Sequence, residues 1–108
     1  MKYESFEFSS KSEVEAMLSS NDQELKIAAL VGMINGIDDR TWVEGVLIQH
    51  VTNDDFWIAK NAITGLGDLA RIYGRLDMIR VRDSFKKVKH RNLKVVIEET
   101  LKDVETFI

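Results

Sequence analysis

The chain has no cysteine and no proline among its 108 residues. Without cysteine there can be no disulfide, no thiolate metal ligand and no thiol nucleophile, and a reducing compartment is permitted. Without proline, no helix has to be broken or kinked by one. Long apolar runs are also missing. The longest, Ile27 to Ile34, falls far short of the roughly 20 residues a membrane-crossing helix needs. The first residues, Met1 to Phe8, lack the apolar stretch of a signal peptide, so the expected location is the cytoplasm. Histidine is scarce, with only His50 and His90 present.

What is present suits one globular domain spanning residues 1–108. Hydrophobic residues make up 44% and charged residues 31%, an ordinary balance for a chain able to bury a core without covalent staples. The net charge of −3 conceals a polarity. Residues 1–70 hold 5 Lys/Arg against 12 Asp/Glu, whereas residues 71–94 hold 9 against 2. Such asymmetry points to a charged partner, although solvated helix faces are also rich in charge.

The main organising signal is an internal repeat. Segments beginning at Leu25, Ile58 and Leu93 share one template, with starts 33 and 35 residues apart. Ala29 matches Ala62, and Gly32 matches Gly65 and Thr100. A period in this range marks stacked helical hairpins, which form extended binding faces more often than catalytic pockets.

Around this repeat the apolar spacing predicts six helices. Ser10 or Ser12 caps a short first helix to about Ser19, burying Val14, Met17 and Leu18. Asn21-Asp22 caps a second helix that is apolar nearly all round and needs cover on both sides. An N-terminal arm carrying Tyr3, Phe6 and Phe8, together with the first helix, is the expected cover. Asn35-Gly36 reads as a left-handed stop. Asp38 or Asp39 starts a third helix, to about Thr52, with a stripe of Val43, Val46, Leu47 and His50. Asn53-Asp54-Asp55 caps the fourth and longest helix, which Gly74 ends. Asp77 caps the fifth and Asn92 the sixth, whose core side runs from Leu93 to Ile108. Turns this short make neighbouring helices antiparallel. No strand pattern appears beyond the Phe6-Glu7-Phe8 alternation.

The stretch Asp54 to Leu69 resembles the first helix of a HEAT-type repeat: an acidic turn, an apolar–basic pair, small residues, then Leu66-Gly67. Asp22, Leu25-Lys26 and Ala28-Ala29 fit the same pattern, and Leu93-Lys94 and Leu101 fit it in part. Lys26, Ala59 and Lys94 stand where the typical motif has arginine. The resemblance implies an all-α stack of antiparallel hairpins: an arm and capping helix over 1–20, then repeats over 21–53, 54–90 and 91–108, the last incomplete. It says almost nothing of function, because such stacks serve as scaffolds, inhibitors and nucleic-acid binders.

No nucleophile–base pairing and no metal-ligand spacing stands out, so neither a metal, a cofactor nor an enzyme activity is expected. His50 lies on an apolar stripe and reads as a hydrogen-bonded core residue. His90 lies in a basic turn and is expected to face solvent. Asp38-Asp39 and Asp54-Asp55 are explained as helix caps. Gly65-Leu66-Gly67 sits inside a helix and is no phosphate loop.

Binding surfaces remain. Thr41, Gly45, Ile48 and Thr52 lie opposite the core stripe of the third helix. Gly45, costing roughly 1 kcal/mol in mid-helix, either admits a neighbouring helix of the chain or leaves room for a partner. Trp57 projects with Lys60, Thr64, Asp68 and Arg71. It is either an interface anchor or, more ordinarily, packs on the arm or the preceding turn. Trp42 reads as structural. An acidic set, Asp38, Asp39, Glu44, Asp54 and Asp55, groups about the third helix. A basic set, Arg80, Arg82, Lys86, Lys87, Lys89 and Arg91 with His90, lies on the next hairpin. A face of mixed sign suits a protein partner.

An acidic, cysteine-free chain of this size is similar to the small immunity proteins that neutralise bacterial toxin domains, some of which are helical repeats. That resemblance implies that the acidic set mimics phosphate in the basic cleft of a nuclease, with Ile48 or Trp57 as anchor. Two alternatives stand beside it: a scaffold or adaptor subunit of a larger assembly, and a nucleic-acid binder that grips phosphates through residues 80–94.

Overall fold

A computed structural model describes Phe8 and residues 10–108, and among these residues the fold is all-α. Its helices are α1 (Lys11–Leu18), α2 (Gln23–Gly36), α3 (Arg40–His50), α4 (Phe56–Tyr73), α5 (Met78–Phe85) and α6 (Lys94–Phe107). Tyr3 and Phe6 of the expected arm lie outside the described residues.

Side-chain caps start the first five helices. Ser10 accepts from the Glu13 amide, Asp22 from Glu24 and Leu25, Asp39 from Trp42, Asp55 from Trp57 and Ile58, and Asp77 from Arg80. Caps of this type are each worth about 1 kcal/mol by satisfying amides that the first turn leaves free. The sixth helix differs from expectation. Asn92 does not cap it; a 3₁₀ turn over Arg91–Leu93 leads into α6, and no side chain accepts from its first amides. Gly74 ends α4 as expected, with φ +70° and its N–H donated to Ala70.

Hydrogen bonds across the loops fix how the helices run. The Gln23 side chain at the start of α2 donates to Asp55 at the start of α4, and Lys89, just ahead of α6, donates to Asp54. The starts of α2, α4 and α6 therefore share one end of the molecule. Lys11 in α1 donates to Asp39 at the start of α3, and the Asp77 amide at the start of α5 donates to Glu44 in α3. So α1, α3 and α5 all start at the other end. The result is two sets of antiparallel helices, with extents of 30 × 28 × 23 Å, a short stack rather than an elongated solenoid.

The core centres on α4, which packs on α2, α3 and α6. Small residues allow those three contacts. A Cβ on Gly65 would lie 3.0 Å from a Leu47 methyl and 3.1 Å from an Ile34 methyl, at the crossing with α3 and α2. A Cβ on Gly67 would lie 3.4 Å from the Thr100 methyl, on the α6 side. Two of the repeated small positions, Gly65 and Thr100, thus mark helix crossings.

Gly36 departs from the expected role. No left-handed stop occurs there, since Gly74 is the single glycine of positive φ among the described residues. Its reason is close approach: a Cβ would come within 2.7 Å of the Phe8 carbonyl carbon. Phe8, buried and bonded through its N–H to the Gly32 carbonyl, docks the end of the arm onto α2. The cover of α2 is incomplete, because Val31 is 52% exposed. Ile108, expected on the core side of α6, is also exposed.

Candidate functional site

The candidate residues are distributed by α3. Asp38 and Asp39 precede its start, and Asp54 and Asp55 come after its end. Its 11 residues hold the two carboxylate pairs about 16 Å apart along the helix axis, at a rise of about 1.5 Å per residue. The set that the sequence groups about the third helix is thus divided between its two ends.

At the first end, Asp38 is exposed, and Asp39 accepts from Lys11 Nζ at 2.7 Å while capping α3. The Lys11 bond, aided by the Trp42 amide, holds the Asp39 carboxyl below the usual carboxylate range. At the second end, Asp54 accepts from Lys89 Nζ at 2.6 Å, and that bond lowers its pKa. Asp55 is lowered first by the Ile58 amide it caps and further by Gln23. Trp57 lies on the first turn of α4. It is 52% exposed, meets Phe56 edge-on at 5.0 Å, and carries Lys60 Nζ over its ring at 5.2 Å. Asp54 and Lys89 thus pair at the turn where α4 starts, and Trp57 lies on the first turn of that helix.

Glu44 belongs to neither end. Its side chain is 2% exposed and pairs with Arg40 at 2.8 Å while accepting the Asp77 amide at 2.9 Å. A buried carboxylate needs partners of this kind, and Glu44 holds the cap of α5 instead of facing solvent. The Arg40/Glu44 spacing of four residues was the one signal in the sequence for this bond.

Ile48 lies half-buried in a groove between α3 and α5, of about 280 Å³, together with Thr52, Arg80, Asp83, Ser84 and Lys87. On the same face of α3, a Cβ on Gly45 would meet nothing within 4 Å. No described helix of the chain occupies that space, so admitting a neighbouring helix does not explain this glycine.

The basic set is dispersed in the same way. Arg80 and Lys87 face the α3–α5 groove, and Lys87 pairs with Asp83. Arg82 and Lys86 face α6, with Arg82 bonded to Glu105 at 3.3 Å. Arg91 is exposed in the turn before α6. His90 is half-buried rather than solvent-facing: Nε2 lies 3.2 Å from the Asn53 carbonyl and the ring packs edge-on to Phe56. His50 makes a local bond, with Nδ1 at 2.8 Å from the Val46 carbonyl.

Among the described residues no three His, Cys, Asp or Glu side chains are grouped as a metal site would require, and no helix is long and apolar enough to cross a membrane. Comparison with protein-family models, with curated proteins and with solved structures finds no match to this chain.

Proposed function

We propose that this chain is a non-catalytic protein-binding module, a short stack of HEAT-like hairpins that contacts its partner through the end where α4 begins. The exposure of Trp57 carries the reading. A tryptophan left half in water forgoes burial that would stabilise the fold, and residues of this type supply much of the energy of protein interfaces. Asp54, with its side chain 88% exposed, and Lys89, paired with it, put both signs of charge at the start of the same helix. Charges arranged this way steer encounter and fix register. The HEAT-like description is supported by the alternating helix directions and by the small residues recurring at the crossings of α4.

Within that class the specific reading is an immunity protein that occludes the active site of a nuclease domain. Trp57 would be the anchor and Asp54 the carboxylate offered to a basic cleft. A scaffold or adaptor role is the alternative.

The test is affinity capture from lysate with the tagged chain, with and without nuclease treatment, alongside Trp57→Ala and Asp54→Lys variants of unchanged helicity. One nuclease-resistant partner at near-equal stoichiometry, lost in both variants, is the expected result. Equal recovery by all three chains removes this surface from the reading. Recovery abolished by nuclease treatment moves the function to nucleic acid. Assaying the captured partner bound and free then separates the roles: a nuclease silenced on binding supports immunity, and an unaffected partner supports the adaptor.

A further inference from the structure

The last two helices leave a groove between them. α5 packs chiefly on α3 and α6 chiefly on α4, so the seam between α5 and α6 stays open as two adjoining depressions of about 390 and 530 Å³. Both share Phe85, Lys94 and Ile97. The floor is apolar, made by Phe85, Val88, Ile97 and Leu101. Lys94, Ile97, Glu98 and Leu101 recur at the spacing of one helix face, which gives a strip about two turns, or about 11 Å, long.

The rim is basic. Arg82, Lys86, Arg91 and Lys94 line it, against Glu98 as the one carboxylate among the lining residues. Arg82 is engaged by Glu105, whereas Lys86, Arg91 and Lys94 make no ion pair among the described residues. Three cations that form no ion pair among those residues, with Glu98 the single carboxylate beside them, thus edge an apolar trough.

We infer that the α5–α6 groove is a docking site for an acidic amphipathic helix of a partner protein. Apolar side chains at i, i+3, i+4 and i+7 would lie on the Phe85–Ile97–Leu101 floor, as in helix-in-groove recognition, and flanking carboxylates would meet Lys86, Arg91 and Lys94. Charge complementarity selects this occupant over a basic or neutral helix. The floor selects it over nucleic acid, because its single aromatic ring, Phe85, is only 6% exposed and offers bases no stacking platform. The groove includes neither Trp57 nor Asp54, so the inference stands apart from the surface proposed above.

The probe is a synthetic amphipathic peptide about four turns long, with leucines at i, i+3, i+4 and i+7 and glutamates on both flanks. A second peptide carries the same leucines with lysines in place of the glutamates. Titration into the full-length chain, read by amide chemical shifts, should move resonances of α5 and α6 for the acidic peptide alone. The variant Lys86→Glu/Lys94→Glu, changed at two exposed positions, should bind it at least about tenfold more weakly. Arg80→Glu/Lys87→Glu, in the neighbouring α3–α5 groove, should bind it as the parent does.

Shifts centred elsewhere, equal binding of the lysine peptide, no binding of either, or equal losses in the two double variants would each overturn the inference. A thymidine oligonucleotide that shifts the same resonances and displaces the peptide would assign the groove to nucleic acid instead.

Discussion

The Glu44 carboxylate accepts the backbone N–H of Asp77 at 2.9 Å, 33 residues further along the chain. It joins the first turns of α3 to the cap of α5. Arg40 completes the arrangement from one turn before Glu44, at 2.8 Å. Asp77 caps its helix through its own side chain while Glu44 satisfies its amide, so two carboxylates serve one helix start.

Glu44→Ala should therefore lower stability by about 3 kcal/mol, because it strands the partly buried Arg40 guanidinium, and breaking such pairs costs about 3–5 kcal/mol. Glu44→Gln, which keeps an acceptor for the Asp77 amide, should lose less. Denaturant titration of the three chains checks the order. A Glu44→Ala midpoint equal to that of the parent would show that the pair does not hold α5.

Two glycines should respond oppositely to alanine. Gly45→Ala should stabilise by up to about 1 kcal/mol, since the new methyl meets nothing and helix propensity improves. Gly36→Ala should release Phe8, whose backbone occupies the place of the new Cβ. Melting temperatures test the first, and loss of hydrogen-exchange protection at the Phe8 amide tests the second.

Acid should weaken the fold in a defined window. Asp39, Asp54 and Asp55 have carboxyls held below their ordinary values. Each contributes stability that is present above the unfolded value of about 3.9 and is lost as pH falls through the lower folded value. Lys11→Met should flatten the fall below about pH 4 by removing the main cause at Asp39. Unfolding measured from pH 2 to 7 for both chains reads the difference.

Asp68 carries the opposite sign. Partial desolvation raises its carboxyl above the ordinary value although the side chain is half exposed, with Arg71, paired with it at 3.4 Å, opposing and Asp103 assisting. Its ionisation therefore opposes folding increasingly as pH rises from the ordinary to the raised value, and that cost disappears in acid, where the group is protonated in both states. Asp68→Asn should raise the melting temperature at neutral pH relative to the parent, and the gain should shrink at pH 3. A gain that is the same at both values would show that charge is not the cause.

The two tryptophans should separate by exposure. Trp57, 52% exposed, should be quenched readily by iodide in a Trp42→Phe chain. Trp42, half-buried with Lys11 Nζ at 5.5 Å from its ring, should be quenched less in a Trp57→Phe chain. Equal quenching would remove the premise of the proposed contact surface.

The sequence by itself determined the helices and their order, because the signals are local. Asp22, Asp39, Asp55 and Asp77 stand just before apolar spacing of helical period, and each caps the helix it precedes. Gly74 supplies the left-handed stop. The recurrence of small residues at Gly32, Gly65 and Thr100 was legible too, and at Gly65 and Thr100 close helix crossings account for it. What only the tertiary structure decided are relations between residues far apart. Burial of Glu44 depends on α5 arriving above α3. The use of Gly36 depends on Phe8 returning across α2. Separation of Asp38 from Asp54 results from the length of an intervening helix, whereas in sequence both merely flank α3. The open α5–α6 seam arises because each of those helices packs chiefly on a different neighbour. Local composition sets backbone conformation one turn at a time, but exposure and charge pairing are sums over every element that packs nearby, and those sums exist only once the chain has folded.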